Sequence, residues 1–279
     1  MTDQKESTTK LVGVTETLMI TFHGRYMEQA RYDCILKDEK AVEMQDKIDY
    51  DFSKYIHGWA SQLGTVLRAK AIDDAVKKFI ANHPNTTIIN LGAGLCTRFF
   101  RINNGELHWY EVDFPEVIEL KQKLIHENHR YKLISCSILE STWISQIETK
   151  ANQPLFIIME GVSMYLTEAE NKLLFQQIQK HLAPVEMIFD VASCEFAKNT
   201  NRHDTVSKTS ASFKWGTDNS SELESWGLGI KLKDEVYYRS CFANYPQRLK
   251  PWWIRYFRFM LVPLLKNSVR ILQIQIALS

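Results

Sequence analysis

The feature that most constrains this chain is a β-branched run that ends in a glycine turn. Residues 86–91 (TTIINL) lead directly into Gly92-Ala93-Gly94, and about twenty residues later a second apolar segment ends in Glu111-Val112-Asp113. Glycines at such a turn let the backbone approach a ligand, because no Cβ stands in the way. An acidic residue at the end of the next strand can accept hydrogen bonds from ribose hydroxyls. The pattern predicts a nucleoside site on an open α/β sheet.

The turn lacks the third glycine of a dinucleotide fingerprint. Cys96 and Thr97 follow Gly94 instead, which weakens the case for a bound pyrophosphate. A nucleoside without a pyrophosphate favours S-adenosylmethionine over NAD. An NAD-dependent oxidoreductase is the alternative on this pattern, and a non-catalytic interaction protein on the same scaffold is a third interpretation.

Length and composition bound the class of protein. A chain of 279 residues can bury one large core, or a core with a cap, and 45% hydrophobic content is ordinary for a globular protein. The formal net charge of +1 gives no electrostatic reason to expect nucleic acid or a membrane as partner. The five scattered cysteines fit reduced thiols better than disulfides or a zinc site. We therefore expect a cytoplasmic protein with no metal, and the oligomeric state is left open.

Strands and helices alternate through the middle of the chain. Strands are predicted at 88–91, 107–112, 132–136, 155–159 and 185–191, with a short helix or irregular turn over 98–102. The acidic, proline-containing segment 113–116 opens a helix, and Thr167 with Glu170 forms a capping box for a helix that reaches Leu182. Such alternation implies right-handed crossovers and a parallel sheet covered on both faces.

The flanking segments complete the predicted architecture. Residues 1–11 are expected to fray, residues 16–67 to be helical, and residues 68–82 to form an amphipathic helix. Residues 195–224 are polar and aperiodic, which is typical of a lid or substrate loop. Strands near 230–238 and 268–276 would pair antiparallel at one edge. We expect a single domain with a helical N-terminal segment (1–67), a cofactor-binding core (68–191), a cap insert (192–229), and C-terminal strands with an aromatic helix (230–279).

Several short motifs occur in a specific order between about residue 13 and the last predicted strand. They are Leu36-Lys37-Asp38, Asp49-Tyr50-Asp51-Phe52, Arg68 with Ile72-Asp73, Asn90-Leu91-Gly92-Ala93-Gly94 with Thr97-Arg98, Tyr110-Glu111-Val112-Asp113-Phe114-Pro115, Trp143, and Glu160-Gly161 with Tyr165-Leu166. Together they resemble the leucine carboxyl methyltransferase family, especially its bacterial branch of polyketide (tetracenomycin-type) O-methyltransferases. The resemblance implies a class I S-adenosylmethionine-dependent methyltransferase, with a Rossmann-like sheet and a small-molecule acceptor.

The resemblance also implies cofactor contacts. Gly92 and Gly94 would lie under the methionyl part of the cofactor. Arg68 would bind its carboxylate through a guanidinium fork, with Arg25 as a second candidate. Glu160, directly after the fourth strand, would bind the ammonium group, because an acid that ends an apolar strand is costly unless it is paired.

For the ribose and adenine contacts, the sequence leaves more than one interpretation open. Asp113 would accept from the ribose hydroxyls, but it also stands where a helix N-cap belongs. Glu111 is a weaker ribose candidate. Ser137, next to Ile138, stands where the family often presents Asp to the adenine, and Cys96 replaces another frequent Asp. Serine accepts a hydrogen bond without charge, so Ser137 predicts weaker cofactor binding, and neither departure removes an atom that methyl transfer needs.

No catalytic residue is assigned. Methyl transfer depends on alignment and exclusion of water, and a carboxylate acceptor needs no base near neutral pH. A phenol would benefit from one, and His23, His57 and His203 are candidates that are more often structural. The aromatic stretch 252–260 is expected to pack in the core, with an acceptor-pocket wall as the alternative. A protein-bound or carrier-bound carboxylate is the alternative acceptor.

Overall fold

The alternation of strands and helices predicted from the sequence is confirmed by the computed structural model, which describes residues 5–150, 153–202, 204–250 and 268–278. The strands are β1 (Glu6–Ser7), β2 (Ile48–Asp49), β3 (Thr87–Leu91), β4 (His108–Asp113), β5 (Tyr131–Ser135), β6 (Leu155–Met159), β7 (Val185–Ala192), β8 (Ile230–Tyr237) and β9 (Val269–Ile276). β1 and β2 form a separate parallel ladder. The other strands form a sheet in the order β5-β4-β3-β6-β7-β9-β8. Its members are parallel except β9, which runs antiparallel to both of its neighbours.

The helices are α1 (Leu18–Gln29), α2 (Glu39–Gln45), α3 (Trp59–Asn82), α4 (Arg98–Ile102), α5 (Pro115–Leu124), α6 (Glu168–Leu182), α7 (Cys194–Lys198) and α8 (Tyr238–Ala243). The prediction that a helix begins at Arg68 is wrong, because α3 starts at Trp59 and continues through that residue. Its buried face runs from Leu63 and Leu67 to Ile72, and no proline interrupts the helix. The expected boundary between the N-terminal segment and the core therefore falls inside one helix.

Buried strands at the centre of the sheet carry the core. Every residue of β3 is buried, and alternate side chains contact opposite layers. Ile88 belongs to the cluster that contains Val76 of α3, whereas Ile89 belongs to the cluster that contains Phe175 of α6. The unbroken apolar sequence of β6 has the same cause, since both faces of a parallel sheet are covered. The capping box predicted at Thr167 is confirmed at the start of α6.

The start of the described chain is better ordered than the sequence predicts. The backbone N–H of Glu6 donates to the carbonyl of Lys47 at 2.7 Å, and the Thr8 hydroxyl donates to the carbonyl of Asp49 at 2.8 Å. Leu11 is buried in the core. The prediction of a frayed tail is therefore wrong for residues 5–11, because strand pairing and one apolar side chain hold them.

The insert after β7 lies over the sheet edge at which β6 ends. The backbone N–H of Lys214 donates to the carbonyl of Met164 at 2.7 Å, and that of Thr217 donates to the carbonyl of Ala192 at 2.9 Å. Buried Arg270 on β9 also donates to the Thr217 carbonyl. The aromatic stretch 252–260 lies outside the described residues. No helix in the described ranges is long and apolar enough to cross a membrane.

Candidate active site

A cavity of about 920 Å³ opens where β3, β4 and β6 end. The residues that follow or end these strands line it, as expected for ligand sites at the carboxyl edge of a parallel sheet. All eight residues predicted to contact the cofactor line this cavity: Arg25, Arg68, Gly92, Gly94, Asp113, Ser137, Ile138 and Glu160.

The turn after β3 requires glycine at two positions. Gly92 and Gly94 have φ angles of +64° and +48°, a region that other residues rarely adopt. A Cβ on Gly92 would collide with Val162, and one on Gly94 would lie 3.1 Å from the Cβ of Leu18. Lys121 fixes the turn from below by donating to the Gly94 carbonyl at 2.8 Å. The backbone therefore forms a narrow cradle at the cavity wall.

Asp113 ends β4 and holds the same turn. One carboxylate oxygen accepts from the backbone N–H of Gly94 at 2.7 Å, and the other accepts from that of Phe114 at 2.7 Å. The N-cap of α5 is Phe114, so the N-cap interpretation of Asp113 is wrong. The reason is that β4 extends through Asp113 and Pro115 takes the first helical position. Burial raises the pKa of Asp113 to about 6, although the two backbone hydrogen bonds act in the opposite direction.

Glu111 lies deeper on the same strand and does not line the cavity. Its carboxylate accepts from the Trp109 indole at 3.0 Å and the Tyr131 hydroxyl at 2.9 Å, and it forms an ion pair with Lys121. Each of these partners is fully or almost fully buried. The structure therefore gives Glu111 a role in the core beneath the glycine turn.

Eight charged side chains form an alternating chain of ion pairs beside the cavity, which we call the ion-pair chain. Its consecutive pairs are Asp190–Arg68 (2.8 Å), Arg68–Glu160 (2.9 Å), Glu160–Arg98 (2.6 Å), Arg98–Asp73 (2.5 Å), Asp73–Arg101 (2.9 Å), Arg101–Asp38 (2.9 Å) and Asp38–Arg25 (3.0 Å). Four arginines face four carboxylates, so the formal charges cancel. Roles for Arg25, Arg68 and Glu160 were predicted from the sequence, whereas the other five residues were missed. Asp38, Asp73 and Arg98 nevertheless stand in the family-like motifs, which was the signal that could have found them.

The ion-pair chain fixes the charge of Glu160. Burial by itself would raise the pKa of this carboxyl, but Arg98 and Arg68 hold it at about 2. The adjacent Gly161 has a φ of +71°, and its backbone N–H donates to Asp190 at 2.6 Å. A Cβ at Gly161 would lie 3.2 Å from Nη2 of Arg68. Glu160 is thus ionised at any physiological pH, and the residue that follows it, Gly161, has no side chain.

The rest of the cavity lining is largely aromatic and apolar. It comes from α3, from the segment after β6, from the insert, from α8 and from the segment after α8, and it comprises Trp59, Gly64, Thr65, Met164, Tyr165, Phe196, Phe213, Tyr238, Phe242 and Leu249. The described residues that line the cavity include no histidine. His23 is buried and stacks on Phe52 with 4.8 Å between ring centroids, His57 is exposed, and His203 lies outside the described residues.

Comparison with known proteins assigns the chain. The family model for leucine carboxyl methyltransferases matches residues 25–179, more than half of the 279 residues. The chain belongs to this family. It is an S-adenosylmethionine-dependent O-methyltransferase, and S-adenosylmethionine is its cofactor. The glycine cradle, the strand-end carboxylate of Asp113 and the neighbouring Arg68–Glu160 pair fit a ligand with a nucleoside and an amino-acid tail.

Individual relatives agree with this assignment. The tetracenomycin polyketide synthesis O-methyltransferase TcmP of Streptomyces glaucescens is 31% identical, with 82% of this chain and 84% of the relative covered. The S-adenosyl-L-methionine-dependent methyltransferase dpfgK of Gibberella zeae is 26% identical, with 84% and 85% covered. A candidate methyltransferase of Thermobifida fusca has the same fold, with a TM-score of 0.58 at 12% identity and 96% of each chain covered. These matches confirm the predicted family and the class I methyltransferase fold.

Proposed function

We propose that this enzyme methylates a carboxylate or phenolic oxygen of a small, flat, largely apolar molecule of aromatic or polyketide type. The observation that supports this acceptor is the aromatic part of the cavity, which continues directly from the cofactor-site residues. Flat rings fit between aromatic side chains, and apolar lining favours a ligand with few charges. The name of the Streptomyces glaucescens relative, which refers to tetracenomycin polyketide synthesis, points to the same chemistry.

The proposal assigns the cofactor contacts as follows. Gly92 and Gly94 lie against the methionyl part, and Asp113 accepts from the ribose hydroxyls. Arg68 binds the tail carboxylate, and Glu160 binds the tail ammonium group. Ser137 and Ile138 contact the adenine, and Arg25 is a further candidate at the tail. Residues 68–191 form the cofactor-binding core of this proposal, and residues 192–229 form the cap over the acceptor.

The chain's own residues contribute alignment and a dry environment rather than acid–base chemistry. When bound, S-adenosylmethionine supplies an electrophilic methyl group. Burial raises the pKa of Tyr165 to about 12 and that of Tyr238 well above its usual range, so both phenols keep their protons and neither serves as a base near neutral pH. A carboxylate acceptor is already ionised near neutral pH. The aromatic lining excludes water from the reacting groups, which strengthens the electrostatic contacts around them.

Methyl transfer to defined acceptors tests this proposal. Purified protein is incubated with methyl-labelled S-adenosylmethionine and 2-naphthoic acid, 2-naphthol, 1-hydroxy-2-naphthoic acid, or a peptide with a free C-terminal leucine. We expect labelled ester or ether from at least one naphthalene compound and none from the peptide. Label only in the peptide would replace the small-molecule acceptor with a protein C-terminus.

A further inference from the structure

The four arginines of the ion-pair chain differ in how many nitrogens are already engaged. Every guanidinium nitrogen of Arg25 donates to the protein, and so does every guanidinium nitrogen of Arg101. Arg68 uses only Nε and Nη1, and Arg98 binds carboxylates only through Nε and Nη2. Among the described residues, Nη2 of Arg68 has no hydrogen-bond partner and Nη1 of Arg98 contacts only the Cys96 thiol, at 3.4 Å. Two arginines can therefore still bind an anion.

These two arginines converge on one side chain. Arg68 donates to one oxygen of Glu160, and Arg98 donates to the other. All three residues line the cavity. The two unengaged nitrogens thus belong to guanidinium groups on either side of the same carboxylate, at the place proposed for the amino-acid tail of the cofactor.

The charges around Arg68 show why one arginine is too few. Arg68 is already paired with two carboxylates, Glu160 and Asp190. A third carboxylate on this single cation would be bound against a local excess of negative charge. Arg98 is likewise paired with Glu160 and Asp73, so what it adds is a second guanidinium with a donor, Nη1, that binds no carboxylate. Asp73, which is 1% exposed, orients this guanidinium through Nε. Charge-assisted hydrogen bonds from guanidinium groups to a carboxylate are roughly twice as strong as hydrogen bonds between neutral groups.

We propose that Arg98 is a second cofactor-binding arginine, whose Nη1 acts with Nη2 of Arg68 to bind the tail carboxylate, and that Asp73 is its positioning residue. The inference rests on the proposed placement of the tail between Arg68 and Glu160. It assigns to Arg98 the role that the sequence offered to Arg25. Arg25 then supports the turn after β3, since it donates to the Leu95 carbonyl at 2.7 Å.

Three ligands that differ only in the tail test this assignment by calorimetry. S-adenosylhomocysteine carries both tail charges, S-adenosyl-3-thiopropylamine lacks only the carboxylate, and 5′-methylthioadenosine lacks the amino-acid group altogether. Arg98→Lys should weaken S-adenosylhomocysteine at least tenfold and change the other two by less than twofold, because a lysine loses the oriented fork. Asp73→Asn should also weaken S-adenosylhomocysteine more than S-adenosyl-3-thiopropylamine, but by a smaller factor than Arg98→Lys does.

Arg101→Lys is the matched control. Arg101 also binds Asp73, but each of its guanidinium nitrogens already donates a hydrogen bond to the protein. Arg101→Lys should therefore leave the ratio of the affinities for S-adenosylhomocysteine and S-adenosyl-3-thiopropylamine unchanged. If Arg98→Lys weakens S-adenosylhomocysteine and S-adenosyl-3-thiopropylamine equally, the substitution acts through Glu160 and the proposal is overturned. Unchanged affinity for S-adenosylhomocysteine in this variant would also overturn it. If Arg98→Lys does not bind methylthioadenosine, the adenosine site is damaged and Arg98→Gln must give the predicted ratio, or the proposal fails. Failure of the parent protein to bind S-adenosylhomocysteine would instead contradict the cofactor site itself.

Discussion

At the scale of single residues, Asp113 combines a structural contact with a proposed ligand contact, and its protonation links the two. Its pKa of about 6 lies above the ordinary value of 3.8. Between these values the folded protein holds a proton that the unfolded chain has lost, so this group makes the fold less stable as pH rises through that window. Ribose hydroxyls prefer the ionised acceptor. We therefore expect the affinity for S-adenosylhomocysteine to fall as pH decreases below about 6, measured by calorimetry from pH 5 to 8.

The control for this pH dependence is Asp113→Asn. Asparagine does not titrate, so the variant's affinity for S-adenosylhomocysteine should stay constant between pH 5 and 8. At pH 8 it should be several-fold weaker than the affinity of the parent protein. The neighbouring charges Lys121 and Glu111 remain in the variant. If the variant keeps the pH dependence of the parent, another group is responsible and the ribose contact is not with Asp113.

Tyr238 offers a second test, on the acceptor side. Its hydroxyl has no hydrogen-bond partner within the described ranges, and its ring lies close to Gly64, whose Cβ, if present, would be 3.6 Å from the ring. Since the phenol stays protonated, it can donate to an acceptor oxygen. Tyr238→Phe should lower kcat/KM for a naphthalene acceptor roughly tenfold, as for one lost hydrogen bond to a charged group. Because Tyr238 also interacts electrostatically with Arg68 and Glu160, this loss should exceed any loss of S-adenosylhomocysteine affinity.

Tyr237→Phe is the neighbouring control for Tyr238. The Tyr237 hydroxyl donates to Glu235 at 2.9 Å, and Tyr237 does not line the cavity. This variant should leave kcat/KM unchanged. Equal losses in the two variants would mean that α8 is disturbed as a whole and that Tyr238 makes no specific acceptor contact.

At the scale of elements, the turn between β3 and α4 depends on glycine for two separable reasons. Gly92→Ala combines an unfavourable φ with a collision against Val162. Gly105 has a φ of +88° but no atom within 4 Å of the point where a Cβ would stand, so Gly105→Ala carries only the backbone cost, roughly 1–2 kcal/mol. We expect Gly92→Ala to be destabilised more than Gly105→Ala in denaturant unfolding and to lose S-adenosylhomocysteine binding. Equal unfolding free energies would mean that Val162 moves aside without cost.

Local patterns predicted the strands and helices well because burial dictates their periodicity. The apolar segment that forms β6 and the capping box of α6 are signals contained in a few adjacent residues. The ion-pair chain could not be predicted in this way, since Asp73 and Arg98 are joined only when α3 and α4 pack together. Asp113 was ambiguous because the same few residues that end β4 also resemble a helix start.

At the scale of the whole molecule, family and cofactor were predictable from motif order, because the spacing of motifs reflects the sheet topology. The acceptor was not, since the walls of the proposed acceptor site come from α3, the insert and α8, which are far apart in sequence. One consequence concerns stability. S-adenosylhomocysteine at about one hundred times its dissociation constant should add roughly 2.7 kcal/mol to the free energy of unfolding, and NAD should add nothing. A thermal scan in which NAD alone raises Tm would contradict the family assignment of the site.

The single helix α3 contributes to both parts of the cavity. Trp59 and Gly64, in its first turns, line the part of the cavity proposed for the acceptor, whereas Arg68 and Asp73, further along, belong to the ion-pair chain. Under the proposed function, mutations that reshape the acceptor pocket and mutations that impair cofactor binding therefore fall on different turns of α3. Substrate preference can then change at the start of this helix while the turns that follow keep the proposed cofactor contacts.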